Sequence, residues 1–126
     1  IPFYMQAKLQ NYRNVEIHTD NKYDDEICTF EVKGHKIAAV HGHHDQVSNV
    51  LSNVIRMTGE VPEMILMGHR HANGLTTVDR TKIVESGSLS GMDSYCIENR
   101  LTGNPEQVVL VVSEDKLIKA YCDVTL

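Results

Sequence analysis

Five of the seven histidines in this 126-residue sequence fall in two tight groups, His41-Gly42-His43-His44 and Gly68-His69-Arg70-His71. Imidazole is a common ligand for zinc, manganese, iron and nickel, so the chemistry first suggested is metal binding. Two histidines flanking one residue, as His69 and His71 do, can serve two different metals or bracket one. Gly42 and Gly68 let the backbone turn sharply or let a bulky oxyanion approach. Arg70 carries the planar fork that recognises phosphate oxygens, although a solvated loop arginine is an equal alternative. Asn73 and Tyr95 have similar standing as substrate-side residues.

Each histidine group directly follows a short apolar run. Lys36-Ile37-Ala38-Ala39-Val40 reads as a strand buried on both faces, and Met64-Ile65-Leu66-Met67 as another. Between them, residues 45 to 57 place Val47, Val50, Leu51, Val54 and Ile55 at helical spacing. Asp45 is the expected N-cap there, and Gly59 and Pro62 close the helix. Strand, helix, strand is the order of a βαβ unit, in which a right-handed parallel crossover brings both strand ends to one edge. Ligands ordinarily bind in the crevice outside such carboxyl ends, so the two groups are expected to converge.

The flanking segments are plainer. Residues 3 to 13 show a weak helical pattern, Val15 to His18 alternate like a short strand, and Asp20-Asn21-Lys22 is a turn. Glu26 to Val32 alternate as a strand, with Gly34-His35 expected to close a hairpin and Cys28, Phe30 and Val32 to form a packing stripe, as are the methionines Met5, Met57, Met64 and Met67. From Gly74 onward the pattern predicts antiparallel strands over Leu75–Val78, Lys82–Glu85, Gln107–Val112 and Leu117–Asp123.

Bulk properties narrow the class. With 41% hydrophobic and 23% charged residues, the chain suits one domain over residues 1–126. A formal charge of −5 and a pI near 5.7 give no general attraction for nucleic acid. Three cysteines with no paired spacing suggest neither a disulfide framework nor a cysteine zinc site, which fits the cytoplasm. No apolar run is long enough to span a membrane. A start at Ile1-Pro2 rather than Met suggests a fragment or a processed product.

Val40-His41-Gly42-His43 and Met67-Gly68-His69-Arg70-His71, separated by a helix, resemble the calcineurin-like metallophosphoesterase family, in its small bacterial phosphodiesterase and exonuclease-like branches. That family has a strand ending in His-Gly-His, a helix, then a strand ending in Gly-His-x-His. Glu85-Ser86-Gly87-Ser88 stands where the family often has Asn-Pro-Gly-Ser, a partial match. The resemblance implies an α/β fold, here the C-terminal part of a four-layer α/β/β/α metallophosphoesterase sandwich with mixed sheets. It implies that His41 and His69 bind one metal and His71 the other, with His43 near the site without being a standard ligand; together with Arg70 and Asn73, singled out above by their chemistry, His43 is expected on the substrate side. The implied function is phosphate mono- or diester hydrolysis at two divalent metal ions, of manganese, iron, zinc or nickel.

The family's earlier motifs, Asp-x-His, Gly-Asp-x-x-Asp and Gly-Asn-His-Asp/Glu, do not occur upstream. Gly42-His43-His44-Asp45 looks like the last of them, but that alignment leaves no histidine motif between residues 45 and 68. Asp45 and Asp93 are the carboxylates expected near the rim, and each reads as structural. No catalytic residue is therefore assigned within this chain, which is expected to be inactive alone and to associate with the missing N-terminal half of the domain or with itself. The alternative is a non-catalytic metal-binding or assembly module, and a plain structural domain is a third reading.

Overall fold

A computed structural model describes residues 2–17, 22–92, 94–100 and 102–126. The chain opens with helix α1 (Pro2–Leu9), whose Tyr4 and Met5 are exposed. Residues 15–17, expected in a strand, have no regular structure, and His18 lies outside the described residues. Strands β1 (Ile27–Val32) and β2 (His35–Val40) form an antiparallel hairpin. Its turn is Lys33-Gly34 rather than Gly34-His35, with φ of 55° and 85°. Such paired positive φ values match the right-handed twist of the flanking strands.

Helix α2 (Val50–Thr58) begins five residues later than its periodicity suggests. Two turns intervene: Asp45 N–H donates to the Gly42 carbonyl at 3.2 Å and Asn49 N–H to the Gln46 carbonyl at 2.9 Å. Asn49, not Asp45, occupies the N-cap position, while Asp45 accepts from the Asn53 amide at 2.8 Å. At the other end Gly59, with φ of 73°, donates to the Ile55 carbonyl, as expected of a helix terminator.

The βαβ unit forms as expected. Strand β3 (Met64–Met67) pairs parallel with β2, from Ile37 opposite Met64 to Val40 opposite Met67. Strands β4 (Gly74–Val78) and β5 (Thr81–Glu85) are antiparallel to one another, but β5 also pairs parallel with β3, Met67 lying opposite Glu85. The sheet order is β1-β2-β3-β5-β4. Three parallel strands thus end in one row of Val40, Met67 and Glu85. After the short helix α3 (Ser94–Glu98), β6 (Glu106–Ser113) and β7 (Lys116–Thr125) form a separate antiparallel sheet.

Both faces of the larger sheet are covered. One packs Ala38, Val40, Ile65, Met67 and Ile83 against Val50, Leu51 and Val54 of α2. The other packs Ile37, Met64 and Val84 against Val108, Leu110, Leu117, Ile118 and Tyr121 of the hairpin. At roughly 1.5–3 kcal/mol for each buried aliphatic side chain, these two seams are the main source of cohesion. The result is three successive layers, α/β/β, of an α/β sandwich with a mixed sheet.

The expected packing set is only partly buried. Met64 and Met67 are in the core, whereas Met5, Met57 and Phe30 are each at least 40% exposed and Cys28 is exposed. Phe30 lies opposite Ile37 on the face turned toward the second sheet, but β1 is the edge strand, and of its residues on that face it is Val32 that packs against the β6–β7 cluster. Val109 and Val111 are likewise exposed on the outer side of the hairpin.

Candidate metal centre

The parallel edge presents the histidines. His41 follows β2, Gly68 and His69 follow β3, and Ser86 follows β5, its N–H donating to the Met67 carbonyl at 2.9 Å. The rings of His41 and His69 lie 5.1 Å apart at 70°, and those of His41 and His43 are 5.4 Å apart.

Two glycines set this spacing. A Cβ on Gly42, where φ is 96°, would stand 2.9 Å from Met67 Cγ and 3.1 Å from the Gly68 carbonyl oxygen; one on Gly68 would stand 3.4 Å from the His41 carbonyl oxygen. The two loops therefore run against each other backbone to backbone. His69 and His71 both have positive φ, 67° and 54°. Arg70 N–H donates to the Gly68 carbonyl at 2.8 Å, closing a tight three-residue turn around His69. Non-glycine residues in this region carry strain of order 1–3 kcal/mol, and such strain concentrates at ligand sites.

His71 sits apart from the other rings. Among the described residues it makes no ring contact with them, but it lines a shallow cleft with His69, Arg70, Ser88 and Ser90. His41 faces a second cleft with Glu26, His44, Asp45 and Asn53. His43 is between the two, 6.0 Å from His69 by ring centroid and 3.3 Å from a Glu26 oxygen through Nδ1.

Arg70 is anchored rather than free. Its Nε–H donates to Glu85 Oε1 at 3.1 Å, and the Glu85 side chain is 14% exposed. The Asn73 side chain is fully engaged: Nδ2 donates to the Gln107 carbonyl at 3.0 Å and to Asp123 Oδ1 at 2.6 Å, while Oδ1 accepts from Gly87 N–H at 2.8 Å. Its backbone N–H donates to Glu106 Oε1 at 2.6 Å. Asn73 thereby ties the loop after β3 to the loop after β5 and to both strands of the second sheet. Tyr95 falls on α3, and Asp93 lies outside the described residues.

Two carboxylates at this edge escape the sequence reading, which expected only Asp45 and Asp93. Glu85 is brought there by the parallel pairing of β5 with β3. Glu26 is brought there by the hairpin register, since Ile27 opposes Val40. The available signal for Glu85 was its place as the last residue of an apolar strand, the same place from which His41 and His69 follow theirs.

Three imidazoles, those of His41, His43 and His69, thus gather at the carboxyl edge of a parallel βαβ sheet within a mixed α/β sandwich. The chain belongs to the calcineurin-like phosphoesterase superfamily, whose domain model matches residues 11–115. Among curated proteins no sequence matches it. Several solved structures share the fold. An archaeal phosphodiesterase is 22% identical with a TM-score of 0.55, over 80% of this chain and 51% of its own. Vps29 from Entamoeba histolytica complexed with Zn2+ is 15% identical with a TM-score of 0.58, over 90% of this chain and 66% of its own. Vacuolar protein sorting 29 from Cryptosporidium parvum is 16% identical with a TM-score of 0.53, over 100% and 77%. The chain spans about half the length of the archaeal phosphodiesterase and of a Thermotoga maritima protein of the same fold, 51% and 54%. Among the described residues no helix is long and apolar enough to cross a membrane.

Proposed function

We propose that this chain supplies the histidine part of a two-metal phosphoesterase centre, with His41, His69 and His71 as ligands. The observation that carries the reading is the 5.1 Å approach of the His41 and His69 rings at the ends of two adjacent parallel strands. Exposed imidazoles on strained, glycine-guided loops suit borderline divalent cations, and His71, two residues beyond His69, suits the second of a pair. When bound, two such cations polarise a phosphoryl oxygen and lower the pKa of water.

This chain's own residues orient that chemistry. Glu85 holds Arg70 at the mouth of the His69–His71 cleft, where its remaining N–H groups are available to a phosphate oxygen. His43, the other proposed substrate-side residue, approaches His69 from the opposite loop, 6.0 Å from ring to ring. Asn73 acts on the substrate side by fixing the loop that carries these groups. Imidazoles bring no negative charge, so two cations need carboxylates as well; Glu26 and Glu85 at this edge engage His43 and Arg70, and on this reading a longer domain supplies the bridging carboxylates and this chain alone is inactive. The substrate is a phosphate ester and the setting cytoplasmic.

The test is hydrolysis of a chromogenic phosphodiester and monoester by the longer gene product, metal-stripped and then reloaded with Mn2+. Turnover that returns with metal and is abolished in His69→Ala supports the reading. Metal uptake without turnover supports a metal-binding or assembly module instead. One observation favours that second reading: among the described residues, His41, His69 and His71 do not gather at ligating distance, either as a trio or with a carboxylate.

A further inference from the structure

A second set of donors lies beside the first and shares no residue with it. Glu26, His43 and His44 each offer one ligand atom, and these atoms all lie within 4.8 Å of one another. Donors bound to one zinc ion at roughly 2.0–2.2 Å lie within about 4 Å of each other, so a slight turn of exposed side chains closes the remaining gap. The rings of His43 and His44 are 3.7 Å apart at 44°, and His43 Nδ1 is 3.3 Å from Glu26 Oε2.

Two local devices bring the three together from separate segments. Asp24 Oδ1 accepts from the N–H groups of Glu26 and Ile27 at 2.7 and 2.8 Å, which fixes the backbone entering β1. The Gly42–Asp45 turn folds the chain after β2 so that His43 and His44 point back along the hairpin. Because Ile27 opposes Val40, the residue before β1 and the turn after β2 meet at the same edge.

We propose that Glu26, His43 and His44 bind a single borderline divalent cation, with zinc as the test ion, at a site separate from His41, His69 and His71. Two imidazoles and one carboxylate are a zinc donor set, and their exposure leaves the fourth position to water. The single carboxylate leaves the loaded site with one net positive charge, suited to an anionic ligand. This inference does not depend on the two-metal reading.

Zinc is titrated into the metal-free chain against a chromophoric chelator, and Co2+ is followed by its visible absorption. In His69→Ala/His71→Ala, zinc binding by the second site persists. Adding Glu26→Gln or His44→Gln to that background weakens zinc by more than about tenfold, since even partners of metal ligands cost that much, and removes the cobalt band. Both changes are at exposed positions, and far-ultraviolet circular dichroism checks each fold, so either variant can decide. Loss of all zinc binding in His69→Ala/His71→Ala, or unchanged binding on adding both further substitutions, overturns the proposal and leaves Glu26 and His43 as an ion pair only.

Discussion

The Gly42 backbone lies so close to the Met67 side chain and the Gly68 carbonyl that a single added carbon would clash with the first and press against the second. That contact joins the loop carrying His41 to the loop carrying His69. Gly42→Ala adds the strain of a positive φ to a steric clash, and is expected to destabilise by about 1–3 kcal/mol. If His41 and His69 share a metal as proposed, pushing the two loops apart also lowers zinc affinity. Urea unfolding and a zinc titration of the same variant read the two effects.

His71 offers a way to separate strain from ligation. With φ of 54° it occupies a conformation that glycine adopts at little cost. His71→Gly is therefore expected to be more stable than His71→Ala by roughly 1 kcal/mol, while both lose the imidazole. Equal unfolding midpoints for the two variants contradict the assignment of strain.

Asn73 joins four segments, and Asn73→Ala leaves the Gly87 N–H, the Gln107 carbonyl and Asp123 without their partner. At about 0.5–1.5 kcal/mol for each of these three net hydrogen bonds, the loss is about 1.5–4.5 kcal/mol. Asn73→Asp is expected to be worse, because it removes both amide donors and sets a third carboxylate beside Asp123 and Glu106. Thermal unfolding of the two variants gives the order.

At the far end of the sandwich His35 spans the layers. Its Nδ1 lies 2.9 Å from Glu63 Oε2 and its Nε2 lies 3.0 Å from the Ser113 carbonyl. Both partners are acceptors, so both ring nitrogens donate and the imidazolium is favoured. The Glu63 hydrogen bond raises the His35 pKa above 6.5, and the reciprocal bond from His35 lowers that of Glu63 below 4.5. A raised histidine pKa stabilises the fold fully below 6.5 and is lost as pH climbs through the raised value; a lowered glutamate pKa stabilises above 4.5 and is lost as pH falls through the lowered value. The stability difference between the wild type and His35→Gln is thus expected to be largest between those two values and to shrink toward alkaline pH. A difference that grows with pH rules this out.

How much of this was legible in the sequence follows from which interactions are local. The βαβ unit and the meeting of His41 with His69 are written in apolar runs of fixed length, an intervening helical spacing and glycines at the strand ends. The start of α2 was not legible, because Val47 keeps the helical period while the Gly42–Asp45 and Gln46–Asn49 turns override it. Glu85 was missed because its neighbour in space, Met67, belongs to a strand paired across a crossing that no local pattern records. Asn73 reads as substrate-facing when only its nearness to the motif is visible; its four partners come from residues 87 to 123. Phe30 and Cys28 alternate as a buried stripe does, yet nothing in β1 itself says that the strand lies at an edge.

The row of Val40, Met67 and Glu85 has a final implication. Each strand ends at the same level above a finished core, so the loops that follow can vary in sequence while the packing beneath them is kept. Such a ledge lets related sequences keep one scaffold while altering its chemistry a position at a time. In this chain the loops above that ledge carry His41 directly after β2, His69 two residues after β3 and Ser86 directly after β5, so two present an imidazole and the third a hydroxyl.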